Sequence, residues 1–255
     1  MKAFGIPAVA LEAAVDLGAD TTAAVRRRLG KRKQRKAAAG VRLRGIYALR
    51  RKAALSLESR QLWTTGAFPQ QSYGYQINGV SPTELLELRR QAVKSVAGRS
   101  FGRCLTTTLA CTHGASDPGL ALPCGLVKEW LAVWKLNPSY HRRVTQAWPH
   151  LWRKLKGAKA AARWNQVKGV LSAVIATLIM AGWDAPTAVR WTRPCGETWK
   201  LDGVERDACV EDLLSDLRAD LEAKQWRFAA QHYCGKGLEG GGRPKRGWAR
   251  PPACY

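Results

Sequence analysis

Apolar residues recur at helical spacing through most of the chain. Leu85, Leu88, Ala92 and Val96 form one stripe, preceded by Ser81, Pro82 and Glu84 and followed by Gly98. A serine cap, a proline in the first turn and a glutamate three residues past the cap satisfy the orphan N–H groups of a helix start. They predict a helix over Pro82–Ala97, with Arg89, Arg90 and Lys94 off its apolar stripe. Leu126, Val127, Trp130, Leu131 and Trp134 predict another helix up to Asn137-Pro138. Ser139 is placed to cap a third, carrying Val144, Trp148, Leu151, Trp152 and Leu155. From Ala158 the spacing continues through Trp164, Val167, Leu171, Val174, Ile175 and Leu178 and closes at Gly182. These helices predict a bundle core. The stretch Gly169 to Trp183 is 15 residues without a charge. A membrane-spanning helix needs about 20, so the stretch reads as a buried helix.

The period changes elsewhere. Val189, Trp191, Trp199 and Leu201 flank Pro194-Cys195-Gly196 at strand-like spacing, which predicts a small hairpin near 188–201. A last helix is expected from about Ala208 to His232, with Val210, Leu213, Leu214, Leu217 and Leu221 inward. From Thr22 to about Arg60, alanine and long basic side chains favour helix. Gly30, Gly40 and Gly45 are expected to break it into two or three short pieces with a basic face. The aromatic, glycine-rich segment WTTGAFPQQSYGYQINGV suits a tight packed connection or a helix with a glycine-rich contact face, and 98–118 reads as a loop. Asp16 to Asp20 suits either a strand and turn or a helix end. The glycine, proline and basic residues of 236–255 lack apolar period and read as a disordered tail. The fold class is mainly α, a bundle with a small β-hairpin.

Charge narrows the function. The chain has 42 Lys and Arg against 19 Asp and Glu, a formal charge of +23 over 255 residues. Thirteen of the cations fall between Arg26 and Leu57 with no acidic residue among them. A run of this kind finds its counter-charge outside itself, and a nucleic-acid backbone supplies it through phosphate neutralisation and counterion release. The expected partner is RNA and/or DNA. The expected phosphate contacts are Arg26, Arg27, Arg28, Lys31, Arg32, Lys33, Arg35 and Lys36, with Arg50, Arg51 and Lys52 as a second group. Trp63, Tyr73 and Tyr75 are the candidate exposed rings for stacking bases. Most other tryptophans, including those of Trp148-Pro149-His150-Leu151-Trp152-Arg153-Lys154, sit at core spacing. The rival partners for the basic face are an acidic protein and an anionic membrane. With 46% hydrophobic residues and 11 Trp, the chain is too apolar for a disordered polycation.

No reaction chemistry emerges. Cys104, Cys111, His113 and Cys124 carry zinc-ligand chemistry, but no Cys-x-x-Cys occurs and Cys111-x-His113 sets two ligands close together, so buried free thiols are expected. Asp212, Asp216 and Asp220 share a helix face; complementing the helix dipole or holding a basic segment of the same chain is expected rather than a metal site. There is no phosphate-cradling Gly-x-x-x-x-Gly-Lys motif. No catalytic residue and no cofactor is assigned. Seven cysteines at irregular spacing, and no apolar leader core in Met1–Leu11, point to reduced thiols in nucleus or cytoplasm rather than secretion, and no membrane span is expected.

The order of segments is distinctive. Asp16-Leu17-Gly18-Ala19-Asp20, the basic run, Thr65-Gly66-Ala67-Phe68-Pro69-Gln70-Gln71-Ser72-Tyr73-Gly74-Tyr75, Gly79-Val80-Ser81-Pro82 and Leu88-Arg89-Arg90 follow one another. Together they resemble the region downstream of the catalytic palm in non-LTR-type retroelement reverse transcriptases. Later stretches, Val127-Lys128-Glu129-Trp130, Val167-Lys168-Gly169-Val170-Leu171, Ala181-Gly182-Trp183 and His232-Tyr233-Cys234-Gly235, are similar to the dinoflagellate-type members. The resemblance spans roughly residues 12–241. It implies a remnant of a preceding domain in 1–20, a basic helical thumb-like region in 21–98 and a helical connection-like domain in 99–235. It also implies that the polymerase core, with its Asp-Asp pair and magnesium, lies upstream, since this chain has no Asp-Asp pair. The fragment then grips template and primer without catalysing. The alternatives are a freestanding basic helical RNA- or DNA-binding protein, with or without zinc, and a decayed copy without function.

Overall fold

The structure, a computed structural model, describes residues 13–16, 19–22, 27, 29–53, 56–97, 104–201 and 207–231. On either side of Leu17 and Gly18, which lie outside the described residues, β1 (Ala13–Asp16) pairs antiparallel with β2 (Ala19–Thr22). The basic run then forms one helix, α1 (Gly30–Ala53), 24 residues long. This corrects the expectation of several short pieces. Gly40 and Gly45 have nothing within 4 Å of where a Cβ would sit, so each costs the helix only its propensity, about 1 kcal/mol, and breaks nothing. Ala39, Leu43 and Ile46 are its buried side.

The glycine-rich segment is helical in short pieces: α2 (Ser56–Leu62), a π-helical turn over Trp63–Ala67, α3 (Phe68–Ser72) and α4 (Tyr75–Asn78). In the π turn the Thr64 and Thr65 hydroxyls donate to the carbonyls of Arg60 and Gln61, which relieves the widened backbone. Gly74 and Gly79, at φ 78° and 61°, make the corners on either side of α4. Then comes α5 (Pro82–Val96), with the capping box in place: the Ser81 hydroxyl accepts the Glu84 N–H and the Glu84 carboxylate accepts the Ser81 N–H.

Residues 98–118, expected as loop, contain α6 (Leu105–Thr112), whose first turn is capped by the Cys104 sulfur. Next are α7 (Pro118–Leu136), α8 (His141–Gly157), α9 (Ala160–Arg163) and α10 (Val170–Ala181). Ser139 caps nothing; it lies in a 3-10 turn over Pro138–Tyr140 that leads directly into α8. The helix expected from Ala158 is interrupted at Trp164–Gln166 and resumes as α10, which is buried along most of its length and ends at Gly182 with φ 93°. The expected hairpin gains a third strand: β3 (Asp184–Thr187), β4 (Arg190–Thr192) and β5 (Thr198–Lys200) form an antiparallel sheet in that order. The last helix, α11 (Asp207–Gln231), buries Leu213, Leu214, Leu217 and Leu221 as its period predicts. The protein is thus mainly helical with a small sheet. The tail 236–255 lies outside the described residues.

Three apolar clusters hold these elements. The largest joins α7, α8, α10, α11 and the sheet, where the fully buried Trp148 and Trp191 rings stack 5.9 Å apart and the Trp148 indole donates to the Ala185 carbonyl at 2.7 Å. A second joins α1, the π turn, α5 and α6, with Leu105 and Leu109 of α6 packed on the N-terminal helices. A third, Leu85 and Leu88 against Leu122, welds α5 to α7. An ion pair crosses the same seam. The Arg89 Nε lies 3.1 Å from Asp117 Oδ1, both side chains being buried, so Arg89 points inward and not, as expected, away from the core. Among the described residues no helix is long and apolar enough to cross a membrane.

Candidate nucleic-acid interface

Helix α1 presents the charge. At 1.5 Å per residue its 24 residues extend about 36 Å, close to one turn of duplex. Lys31, Lys33, Lys36, Arg42, Arg44 and Arg51 are exposed along it. Lys33, Arg42, Arg44 and Arg51 have no carboxylate partner among the described residues, while Lys36 pairs with Glu87. Arg35 is half-buried, its guanidinium 4.2 Å over the Tyr73 ring. Arg50 is half-buried too. Arg26, Arg28 and the Lys52 side chain lie outside the described residues.

Two of the expected phosphate contacts are turned inward instead. The Arg27 side chain is 6% exposed; its Nη1 donates to Glu84 and its Nη2 to the carbonyls of Asn78 and Gly79, the latter two at 2.7 Å. Arg32 donates to the Gly79 carbonyl at 2.6 Å and to Glu84 at 3.3 Å. Burial works to raise the Glu84 carboxyl. The charges of Arg27 and Arg32 and the Ser81 hydrogen bonds overcome it and hold the group at about 2. Gly79 is the hinge of this knot: a side chain there would press into the Trp164 ring, 2.8 Å from its Cβ position.

The stacking candidates divide. Tyr73 is exposed, with Arg35 covering one ring face. Trp63 is fully buried, which corrects the expectation of an exposed ring: the π turn points it into the core, stacked on Phe68 at 4.9 Å with the His113 ring against its edge. Tyr75 is half-buried against the large core, its hydroxyl filling the place where Gly125 lacks a side chain, and burial raises its phenol. Neither ring is offered to a strand.

The metal-ligand candidates scatter in role. Cys104 caps α6, Cys111 is exposed rather than buried, Cys124 is buried with its thiol pushed up to about 11 by that burial, and His113 Nδ1 lies 2.8 Å from the Thr112 hydroxyl. Among the described residues no three His, Cys, Asp or Glu side chains gather as a metal site. Of the acidic triplet, Asp216 and Asp220 bind Arg193, at 3.0 and 3.1 Å, and accept the indole N–H groups of Trp199 and Trp183. They hold a basic residue of the same chain.

A second cationic face went unread in the sequence. Residues 130–183 contain nine Lys and Arg and no Asp or Glu. That acid-free stretch was the available signal, masked by its tryptophans. Helix α8 buries Trp148, Trp152 and Leu155 and exposes Arg142, Arg143, Arg153 and Lys154. Helix α9 and the turn after it link the two faces at a corner: the Arg27 N–H, just before α1, donates to the Asn165 carbonyl at 2.9 Å, and Arg163 donates back to the Leu155 carbonyl near the end of α8 at 2.7 Å. Between α1, α3, α5 and α9 at this corner lies a cavity of about 580 Å³.

No family model, curated protein or solved structure matches the chain.

Proposed function

We propose that the chain grips RNA or primer–template duplex by phosphate contacts, as the thumb-and-connection part of a retroelement reverse transcriptase, and does not itself polymerise. The observation that carries the reading is the exposure on α1 of Lys33, Arg44 and Arg51 along one side and Arg42 on the other, without a carboxylate among the described residues to neutralise them. Like charges set on one rigid helix are costly without a polyanion. A phosphate backbone, with a charge about every 1.7 Å of duplex, offsets that cost at any base sequence. The segment order that resembles the retroelement enzymes adds the specific assignment. The absence of an Asp-Asp pair from the chain supports a binding rather than a polymerising part.

The test is affinity for a duplex of random sequence measured against salt. Four to five phosphate contacts give a plot of log affinity against log salt with a slope of about −4. A flat plot overturns the reading. The reverse-transcriptase assignment is tested by retention of an RNA–DNA hybrid at least as tight as that of duplex DNA, without primer extension; extension by the purified chain overturns the non-catalytic part.

A further inference from the structure

The cavity at the α1–α9 corner has three properties that belong together. Its volume, about 580 Å³, falls in the range of small-molecule sites, and Val80, Leu88 and Trp164 make much of its wall apolar. Two buried polar atoms of lining residues have no partner among the described residues. Gln71 is 4% exposed; its amide donates to the Ala67 carbonyl and to Gln91, at 3.1 and 2.9 Å, while its Oε1 accepts from no described residue, and Arg27 Nε likewise donates to none. A buried group left so loses its hydration without a replacement and favours a ligand that supplies one. Four cations, Arg27, Arg32, Lys33 and Lys36, line the same space against the two carboxylates Glu84 and Glu87. This leaves two positive charges over, beside the first turn of α5, whose dipole favours an anion.

We propose that this cavity binds one nucleotide, its base inside against the apolar wall and its phosphate at Lys33 and Lys36. A base supplies flat apolar faces with a donor and an acceptor on its edge, which match Gln71 Oε1 and Arg27 Nε. A phosphate monoester supplies the two negative charges. An acyl chain leaves both buried polar atoms unmatched, and inorganic phosphate leaves the apolar wall uncovered. The choice of ligand rests on the polynucleotide reading: a strand on α1 passes Lys33 and Lys36 and presents one unstacked nucleotide to the opening.

The test uses the full chain and calorimetric titration with a nucleoside monophosphate, the matching nucleoside and inorganic phosphate. The monophosphate is expected to bind at least about tenfold tighter than either part. Gln71→Leu and Ala161→Phe, the second narrowing the space from α9, are each expected to weaken it about tenfold. Lys33→Ala is expected to weaken the monophosphate and spare the nucleoside. Phosphate binding as tight as the monophosphate overturns the proposal. Unchanged monophosphate affinity in both Ala161→Phe and Lys33→Ala, neither of which disturbs the core, overturns it too. RNA held at low salt with no uptake of monophosphate sinks the cavity alone. Uptake of monophosphate without RNA binding sinks the polynucleotide reading alone.

Discussion

The Arg27 guanidinium lies 3.1 Å from the Glu84 carboxylate, 57 residues further along the chain. This contact fixes where the basic run stops being surface and becomes structure. Arg27 and Arg32 fasten the start of α1 to the capped end of α5, so neither guanidinium is left to hold a phosphate backbone. The Glu84 carboxyl, held at about 2 against an ordinary 4.5, is depressed in the folded state. Its contribution is therefore complete above pH 4.5 and is lost as pH falls from there toward 2, about 3 kcal/mol in all. Urea unfolding is expected to show this loss in the native protein and a shallower fall over the same window in Glu84→Gln, which starts less stable.

His113 gives a second acid window. Burial first, and then the charge of Arg60, lower its imidazole from 6.5 to about 4. A depressed histidine is held neutral by the fold, so stability is full above pH 6.5 and falls as pH drops from 6.5 to about 4, by up to about 3 kcal/mol. His113→Phe keeps a ring against Trp63 and is expected to remove this window while leaving the lower, Glu84-dependent one. Imidazole proton shifts that titrate near pH 6.5 in the folded protein contradict the assignment.

The Arg89–Asp117 pair is buried on both sides, and Asp117 also caps α7 by accepting the Gly119 N–H at 2.7 Å. Asp117→Ala is expected to destabilise by about 3–5 kcal/mol, since it strips the cap and leaves a buried guanidinium without its anion. Asp117→Asn keeps the cap oxygen and costs less. Equal denaturation midpoints for the native protein and Asp117→Ala contradict this account.

Binding and folding separate along α1. Replacing Arg42, Arg44 and Arg51 together by alanine is expected to flatten the salt slope for duplex by about 2 to 3 while stability shifts little, as at most exposed positions. Arg32→Ala does the reverse: it lowers stability through the Gly79 and Glu84 contacts and changes the slope little. Filter binding at several salt concentrations beside thermal melts of the same variants distinguishes the two effects.

Local signals were legible wherever the chain satisfies itself nearby. Ser81, Pro82 and Glu84 announce α5 because cap and acceptor lie within four residues, and the leucine period of α11 reads directly as its buried face. Signals that depend on a distant partner were not legible. Arg89 looks like surface until Asp117, 28 residues on, completes the pair, and Arg27 and Arg32 look like phosphate ligands until Glu84 is folded beside them. Trp63 was misplaced because its partners Phe68 and His113 come together over it only in the folded chain, and the glycine-rich segment around it carries no apolar period. Gly40 and Gly45 read as breaks by propensity alone, whereas docking through Leu43 and Ile46 outweighs two glycines facing solvent. Helix α6 has a sulfur cap and a run of threonines, neither of which stands out as a helix start.

Within α1, Lys31 precedes Arg35, and Arg32 precedes Lys36, by one turn, each a like-charge pair that costs a few tenths of a kcal/mol. Beyond the contacts of Arg32 with Gly79 and Glu84 and of Lys36 with Glu87, the helix is pinned by a narrow buried strip at Ala39, Leu43 and Ile46. Electrolyte therefore acts on it in the unusual direction. Proteins knit by surface ion pairs loosen as ionic strength rises, whereas here mobile anions relieve the crowding and tighten the helix. A protein stripped of polyanion and dialysed into dilute buffer is left in its least ordered condition, with fraying concentrated at the C-terminal end of this one element, where Arg50 and Arg51 lie far from the Glu84 contacts.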